Sequence, residues 1–215
     1  MLLSFRGLVD KYKMNIKGII HIGAHIGQEI PDYIDTGIQN IVLFEPLEEN
    51  FKILSEKAQA MNANIVGHQV ALGSEPGRTT MYVSDHNRIS SSILKPKVHL
   101  THHPNVSFPD KEEVEVDCLD NFDSFGYNFI NMDVQGYELE VLKGAKKTLE
   151  SVDYVYCEVN RDEVYENNAY VEELDEFLKE YNMIRVMTSW EGQIWVMHFM
   201  YGRTCCENLY SDYCY

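Results

Sequence analysis

The sequence predicts an α/β protein with a doubly wound, mostly parallel sheet. Short apolar runs, such as 19–22 and 41–44, alternate with amphipathic helical segments along most of the 215 residues. The first run ends at a glycine-containing turn, and the second ends at Glu45. Because ligands of such sheets bind at the carboxyl ends of the strands, we expect the turn and Glu45 to share one site.

The turn after the first strand carries the first chemical prediction. Gly23 and Gly27 enclose three residues, and glycine lets a backbone turn sharply and approach a ligand closely. A helix starting near Gly27 is expected to aim its free N–H groups at that ligand. Glu45 stands 22 residues after Gly23, a spacing typical of the acidic residue that accepts hydrogen bonds from ribose hydroxyls. These features predict a nucleoside-containing cofactor at the first crossover of the sheet.

The remaining elements follow in order. We predict further helices at 27–36, 47–62, 137–150 and 172–181, and further strands at 64–72, 78–84, 114–116, 129–132, 153–159, 184–188 and 194–199. The polar stretch 85–110 has little periodicity and is expected to form an ordered loop or lid. We divide the chain into an N-terminal covering segment with a short amphipathic helix (1–17), a single domain (18–201) and an irregular tail (202–215).

Composition limits the partners. The chain has 34 acidic and 18 basic residues and a formal charge of -16, which argues against a nucleic acid or an anionic membrane as partner. Five cysteines without a Cys-x-x-Cys pair favour a reduced, cytoplasmic setting. The N-terminus is too polar for a signal peptide, and no apolar run reaches the roughly 18 residues of a membrane span. A homodimer is left open.

Six motifs occur in an order that resembles a known family. They are Gly-Ala-His-Ile-Gly-Gln-Glu at 23–29, Phe-Glu-Pro at 44–46 followed by Asn-Phe at 50–51, Val-Ala-Leu-Gly at 70–73, Ser-Ser-Ser at 90–92, Cys-Leu-Asp at 118–120 and Asp-Val-Gln-Gly-Tyr-Glu-Leu-Glu-Val-Leu-Lys-Gly-Ala at 133–145. As a set they resemble the FkbM-type methyltransferases over residues 18–158, and Glu158-Val159-Asn160 with Glu163 and Tyr165 is similar to one branch. The resemblance implies S-adenosylmethionine as cofactor and a seven-stranded, Rossmann-like methyltransferase fold flanked by helices.

The same resemblance assigns cofactor-binding roles. It implies that Gly23, Ala24 and Gly27 line the methionine part, that Glu45 holds the ribose and that Asp133 lies beside the transferred methyl group. The cofactor site is further expected to include His21, His25, Glu29, Pro46, Ala71 and Ser92. His21 stands where the first strand of methyltransferases frequently has an acidic residue, so Glu29 or Asp133 is expected to face the cofactor's amino group instead. For His21 and His25, a purely structural role in the turn is an equal alternative.

Catalysis is assigned to carboxylates at strand ends. Asp133 is the predicted base, because a carboxylate near a positive sulfonium can take a hydroxyl proton. Glu158 and Glu138 are reserves. For Glu138, a first-turn acid favoured by the helix dipole is the preferred alternative. Glu158 and Asn160 are weighed between acceptor contacts and capping of the next segment.

A histidine cluster and a set of aromatic residues suggest two further roles. The histidines at 86, 99, 102 and 103 suggest a metal, but no cysteine or carboxylate stands at ligand spacing. We therefore predict no metal and a solvated or acceptor-binding loop. Trp190, Trp195 and Tyr201 suggest a sugar platform, with core packing preferred for Trp195.

The predicted function is O-methyl transfer to a hydroxyl of a sugar, a glycan or a small-molecule natural product. One alternative is an NAD(P)-dependent, sugar-modifying oxidoreductase. Against it, the turn lacks the third glycine of Gly-x-Gly-x-x-Gly, and Tyr137 is followed by Val141 rather than lysine at the spacing of a Tyr-x-x-x-Lys pair. The other alternative is a cofactor-binding module without turnover.

Overall fold

A computed structural model describes residues 4–190 and 196–203. In this part of the chain the strands are β1 (Ile19–Ile22), β2 (Asn40–Phe44), β3 (Asn64–His68), β4 (Ala71–Leu72), β5 (Gly77–Val83), β6 (Asp110–Asp117), β7 (Phe129–Met132), β8 (Tyr154–Asn160), β9 (Met183–Trp190) and β10 (Val196–Arg203). The helices are α1 (Phe5–Tyr12), α2 (Ile30–Asp35), α3 (Glu48–Gln59), α4 (His99–His102), α5 (Glu138–Lys143), α6 (Lys146–Leu149) and α7 (Val171–Lys179), with a 3₁₀ turn at Leu119–Asn121. No helix within these residues has the length and apolar character needed to cross a bilayer.

The main sheet has the order β3-β2-β1-β7-β8-β10-β9 and confirms the predicted fold class. Its strands are parallel except β10, which runs antiparallel to both β8 and β9. The chain first moves outward from β1 to β3 and then returns to place β7 beside β1. This reversal creates a topological switch point between β1 and β7, where ligands of open α/β sheets bind. A smaller sheet, β4-β6-β5, contains the predicted additional antiparallel strand, β5.

Both faces of the central strands β1, β2, β7 and β8 are buried, which explains their nearly continuous apolar runs in the sequence. Alternate residues of a strand point to opposite faces. In β1, Ile20 and Ile22 therefore join the core beneath α5, α6 and α7, whereas Ile19 joins the core on the other face. The predicted N-terminal helix forms as α1 and contributes Phe5, Leu8 and Tyr12 to that second core.

The predicted helix after the glycine turn is wrong at its start. Helix α2 begins at Ile30, three residues later than expected, and has six residues. His25 and Gly27 have positive φ angles of 48° and 70°, which are incompatible with a right-handed helix at those positions. The predicted helix N-terminus at Gly27, with free N–H groups facing the ligand, therefore does not form there.

Two other predicted elements are divided. The predicted strand 64–72 forms β3 in the main sheet and β4 in the small sheet. The predicted helix 137–150 breaks into α5 and α6 at Gly144. A Cβ atom at Gly144 would lie 2.0 Å from the carbonyl oxygen of Gly73, so another part of the backbone occupies the space beside this break.

The C-terminal prediction is partly outside the described residues. Strand β10 continues to Arg203 and so includes the first two residues of the predicted tail. Tyr201 is fully buried and donates a hydrogen bond to Asp175 Oδ1 at 2.9 Å, which makes it a core residue rather than part of a sugar platform. Trp195 and the Trp190 side chain lie outside the described part of the chain, and the division at 17 and 201 stays a prediction.

Gly144→Ala should lower the thermal stability. The added methyl group must displace the Gly73 backbone, and overpacking of this kind costs about 1–3 kcal/mol. For a domain of this size we expect a fall in Tm of roughly 3–10 °C, measured by circular dichroism. Gly77→Ala is the matched control, because no atom lies within 4 Å of a Cβ at Gly77. Equal Tm values for the two variants would contradict the backbone contact.

Candidate functional site

A cavity of about 530 Å³ lies at the carboxyl ends of β1, β2, β7 and β8, beside the switch point. It brings together most of the predicted site residues: His21, Gly23, His25, Glu29, Glu45, Pro46, Ala71, Asp133 and Glu158. The 85–110 segment covers it with Arg88, Ile89, Ser90, Ser91, Ile93, His99 and His103. Ala24, Gly27 and Ser92 are not among the lining residues.

The glycine turn is formed by contacts between neighbouring strand ends. The backbone N–H groups of Gly23 and Ala24 both donate to the Phe44 carbonyl at 3.0 Å. Gly23 has a φ of 77°, and a Cβ there would lie 2.0 Å from the Asp133 carbonyl oxygen. Glycine is therefore required where β1 meets β7. Ala24 is fully buried and supports the turn from below.

Gly27 also supports the turn rather than lining the cavity. A Cβ at Gly27 would lie 2.6 Å from Ile30 Cδ1 and 2.7 Å from Leu54 Cδ1. Gly27 N donates to the Ala24 carbonyl at 2.8 Å and closes the tight turn. These contacts explain why a glycine is needed at this position, and its predicted contact with the cofactor stays a prediction.

Glu45 connects β2 to the glycine turn. Its side chain is buried, and Oε2 accepts a hydrogen bond from His25 N at 2.9 Å. Its Oε1 accepts from Leu47 N at 3.0 Å and from Asn50 Nδ2 at 3.3 Å. Burial raises the pKa of Glu45, although these donors oppose the shift. A carboxylate has about four acceptor positions, so the three donors leave room for a ligand hydroxyl.

Asn50 is a site residue that the sequence analysis does not predict. It is buried in the first turn of α3 and also lines the cavity. The signal was present in the sequence, because Asn50 follows Glu45 by five residues within one of the recognised motifs. Only the structure shows that this spacing brings the amide to the carboxylate.

His21 lies in a buried hydrogen-bonded chain. Asn131 Nδ2 donates to the Tyr33 hydroxyl at 2.6 Å, and that hydroxyl lies 3.2 Å from His21 Nδ1. The Tyr33 hydroxyl thus joins Asn131 to His21, and burial lowers the pKa of His21 to about 4. His21 is a neutral residue with a structural partner that also faces the cavity.

His25 joins the turn to the 85–110 segment. Its Nε2 lies 2.7 Å from the Asn87 carbonyl oxygen, so this nitrogen carries the proton. Its Nδ1 accepts from Gln28 Nε2 at 2.8 Å. His25 adopts a φ of 48°, which is uncommon outside glycine. Its partners are thus a lid carbonyl and a turn side chain.

Two carboxylates end the central strands. Asp133 follows β7 and is open to the cavity, and Glu158 belongs to the adjacent β8. Gln135 Nε2 donates to Asp133 Oδ1 at 2.7 Å and to Glu158 Oε1 at 3.3 Å. The surrounding protein limits the solvation of the Asp133 carboxylate and so raises its pKa, although the side chain is accessible from the cavity. Burial raises the pKa of Glu158 well above its usual value, and the Asp133 charge adds to the shift.

Glu138 supports this floor instead of facing the cavity. Its Oε1 accepts from Val134 N at 3.2 Å and from Gly136 N at 3.1 Å, which closes the turn after Asp133. Burial raises the pKa of Glu138 to about 7. It lies in the first turn of α5, as the alternative interpretation expected, but its partners are turn amides.

Ser92 anchors the lid. It is fully buried, its Oγ donates to the Gln135 carbonyl at 2.8 Å, and the same Oγ accepts from Leu94 N at 3.0 Å. The lid is also held by His99 N, which donates to the Val164 carbonyl at 3.1 Å. Ser92 therefore supports the cavity indirectly.

His99 and His103 line the cavity from the lid, which brings two of the four clustered histidines to the site. Across residues 4–190 and 196–203, no group of three or more histidine, cysteine, aspartate or glutamate side chains is arranged to hold a metal ion.

Comparison with known proteins identifies the family. Residues 21–184 match the family model described as Methyltransferase FkbM domain, and the chain belongs to this family. It is 29% identical over 126 residues to 2-O-methyltransferase NoeI from Sinorhizobium fredii (strain NBRC 101917 / NGR234). The match covers 54% of this chain and 52% of NoeI, so the chain spans about half the length of this curated relative.

Solved structures share the fold. Methyltransferase FkbM from Methylobacillus flagellatus KT has a TM-score of 0.58 at 15% identity, with 85% of this chain and 43% of that chain covered. Magnesium protoporphyrin IX methyltransferase (ChlM) from Synechocystis PCC 6803, solved with bound SAM, has a TM-score of 0.53 at 10% identity, with 92% and 74% covered. The chain therefore has the Rossmann-like methyltransferase fold.

His21 should make wild-type stability depend on pH between pH 7 and pH 5. Its pKa is about 4 when folded and 6.5 when unfolded, so the unfolded state binds more protons as the pH falls. We expect wild type to lose about 2 kcal/mol of unfolding free energy relative to His21→Phe over this range. Urea unfolding of both proteins at each pH measures the difference. If the unfolding free energies of wild type and His21→Phe changed equally with pH, a neutral, buried His21 would be contradicted.

Proposed function

We propose that this chain transfers a methyl group from S-adenosylmethionine to a hydroxyl of a sugar, a glycan or a small-molecule natural product. The main observation is that one cavity joins the turn around Gly23 and Glu45 to the carboxylates of Asp133 and Glu158. The turn around Gly23 and Glu45 suits an adenosyl group. The carboxylates of Asp133 and Glu158 suit proton removal from an acceptor.

The cavity residues fit the chemistry of this cofactor. Glu45 has an acceptor position for a ribose hydroxyl, as its place at the end of β2 predicts. Glu29 and Asp133 line the same cavity and complement a ligand with a positive sulfonium and an ammonium group. Pro46 and Ala71 complete the wall next to Glu45. The cofactor would supply the methyl group on a sulfonium sulfur.

The residues of the chain would position and deprotonate the acceptor. Methyl transfer is an in-line displacement, and holding the reactants close supplies much of the acceleration. Asp133 is open to the cavity at the end of β7 and can take the hydroxyl proton. Its raised pKa makes it a better proton acceptor near neutral pH than an ordinary aspartate.

The acceptor side supports a hydroxyl compound. Its wall combines the polar His99, His103 and Asn160 with the apolar Ile93 and Val164, a mixture that suits a sugar ring. NoeI is named as a 2-O-methyltransferase, which is consistent with an oxygen acceptor. A net charge of -16 disfavours nucleic acids and anionic membranes, and the free thiols of Cys118 and Cys157 fit a cytoplasmic location. A homodimer stays open.

The sheet order disfavours the oxidoreductase alternative. The classic dinucleotide fold has six parallel strands in the order 3-2-1-4-5-6. Here the antiparallel β10 lies between β8 and β9. This insertion distinguishes the sheet from a nicotinamide-binding one.

Two measurements test the proposed function. Calorimetric titration should show binding of S-adenosylmethionine and S-adenosylhomocysteine and no binding of NADH. Incubation with methyl-labelled S-adenosylmethionine and methyl glycosides of glucose, galactose, mannose and xylose should then give a labelled product by mass spectrometry. NADH binding alone would favour the oxidoreductase. Cofactor binding without transfer to any of the four glycosides would favour a binding module.

Asp133→Asn should reduce turnover about 10²- to 10⁴-fold, because the amide cannot take a proton. Cofactor affinity should change far less than turnover, since the side chain keeps its size and hydrogen-bonding capacity and Glu29 keeps its charge. Turnover is measured with labelled cofactor and affinity by calorimetry. Unchanged turnover would remove Asp133 from the mechanism.

Glu45→Gln should weaken S-adenosylmethionine binding by about 10- to 100-fold, because hydrogen bonds to a charged acceptor contribute about 1.5–3 kcal/mol. Calorimetry measures the Kd. The exposed Glu48→Gln is the matched control and should keep the wild-type Kd. A Glu45→Gln Kd within twofold of wild type would exclude a ribose contact.

A further inference from the structure

We infer that Gln135 is a positioning residue that holds Asp133 and Glu158 as a proton-sharing pair, and that the Tyr165 hydroxyl supports the other end of its amide. The inference rests on the proposed function and deepens it, since it makes the base a pair of carboxylates rather than one.

The geometry of Gln135 joins the two acids. A single nitrogen, Nε2, donates to an oxygen of each carboxylate, at 2.7 Å for Asp133 and 3.3 Å for Glu158. In the register of β7 and β8, Met132 is opposite Cys157, so the two acids follow directly at adjacent strand ends. They are therefore neighbours across one amide nitrogen.

Tyr165 contacts the end of the Gln135 amide that faces away from the carboxylates. Its hydroxyl lies 2.7 Å from Gln135 Oε1 and 2.9 Å from the Ser90 carbonyl oxygen, and its single proton serves one of these two acceptors at a time. The NH₂ group faces the two acids. The same tyrosine side chain therefore contacts both Gln135 and the lid.

The backbone of Gln135 is held in an unusual conformation. Its φ is 54°, which is uncommon for a residue other than glycine. Its carbonyl accepts the hydrogen bond from Ser92 Oγ at 2.8 Å, and the Glu138 carboxylate holds the flanking amides. Strained residues of this kind cluster at functional sites when the surrounding structure fixes them.

Two carboxylates that accept hydrogen bonds from one amide nitrogen favour sharing one proton, because like charges disfavour ionisation of both. The titratable groups that face the pair are Glu138 of α5, Cys157 of β8, Tyr165 and Glu29. In the β8–β10 register, His198 is opposite Glu158. The hydrogen bond from Gln135 favours the charged form of both acids and so opposes the burial that raises each pKa.

The carboxylate pair accepts the proton that the reaction releases from the acceptor hydroxyl. As the acceptor oxygen forms its bond to the methyl carbon, the methyl–sulfur bond breaks and its electron pair stays on sulfur, which becomes a neutral thioether. The hydroxyl proton passes to the carboxylate pair, which then holds two protons instead of one. No oxidant or additional reactant is needed.

The test is the dependence of kcat on pH, measured with S-adenosylmethionine and the methyl glycoside from the panel that wild type methylates fastest. Gln135→Met removes the donor and should lower kcat at least tenfold, with cofactor Kd within twofold of wild type. The acid limb, which is the low-pH side of the profile where kcat falls, should move to higher pH. The reason is that the lost hydrogen bond no longer stabilises the charged pair. Tyr165→Phe should move it in the same direction by less.

Tyr201→Phe is the matched control, because it removes another hydrogen bond from a buried tyrosine to a polar side chain, outside the cavity. It should keep the wild-type acid limb. Thermal melting and cofactor Kd establish that each variant is folded, and if Gln135→Met fails to fold, Tyr165→Phe decides. An acid limb that stays in place would overturn the inference, even where kcat falls. Absence of methyl transfer by wild type would instead contradict the proposed function.

Discussion

The close approach of the backbone at the ends of β1 and β7 is the constraint on which the site depends. Asp133 N donates to the Ile22 carbonyl at 3.0 Å, and the Asp133 carbonyl lies where a side chain at residue 23 would be. Only glycine permits this contact together with the positive φ. The contact brings the cofactor turn and the predicted base to the same end of the sheet. Glu45 then joins the third strand end to the turn through His25 N.

The lid is tied to both halves of this floor. His25 contacts the Asn87 carbonyl on the turn side, whereas Ser92 contacts the Gln135 carbonyl on the carboxylate side. The buried Tyr165 hydroxyl also contacts the lid at the Ser90 carbonyl. The 85–110 segment therefore contacts both the turn side and the carboxylate side of the cavity. This arrangement gives the long polar segment, which has little secondary structure, a defined position over the site.

Much of the fold could be predicted because its signals are local. β-Branched runs give the central strands, and their alternation with amphipathic segments gives the parallel sheet. The errors have non-local causes. At the break, Gly144 packs against the Gly73 backbone, 71 residues earlier in the chain, and the late start of α2 follows from positive φ angles in the turn. Neither leaves a periodic signature in the sequence.

The site shows the same division. Gly23, Glu45 and Asp133 could be placed from strand ends and motifs, and all three line the cavity. Gln135 stands inside a recognised motif, but its role depends on three groups distant in sequence, including Glu158 and the Tyr165 hydroxyl. Ser92 was predicted to touch the cofactor, yet its hydroxyl bonds to the Gln135 backbone. Which member of a motif faces the ligand is decided by tertiary packing rather than by the motif itself.

The central claim is that the glycine turn and Glu45 together hold the adenosyl group. A crystal structure of the chain with S-adenosylhomocysteine tests it directly. We expect both ribose hydroxyls beside Glu45, with at least one at a hydrogen-bond distance of about 2.5–3.0 Å from its carboxylate, and the sulfur near Asp133. Adenosine bound elsewhere, or Glu45 turned away from the ribose, would contradict the account.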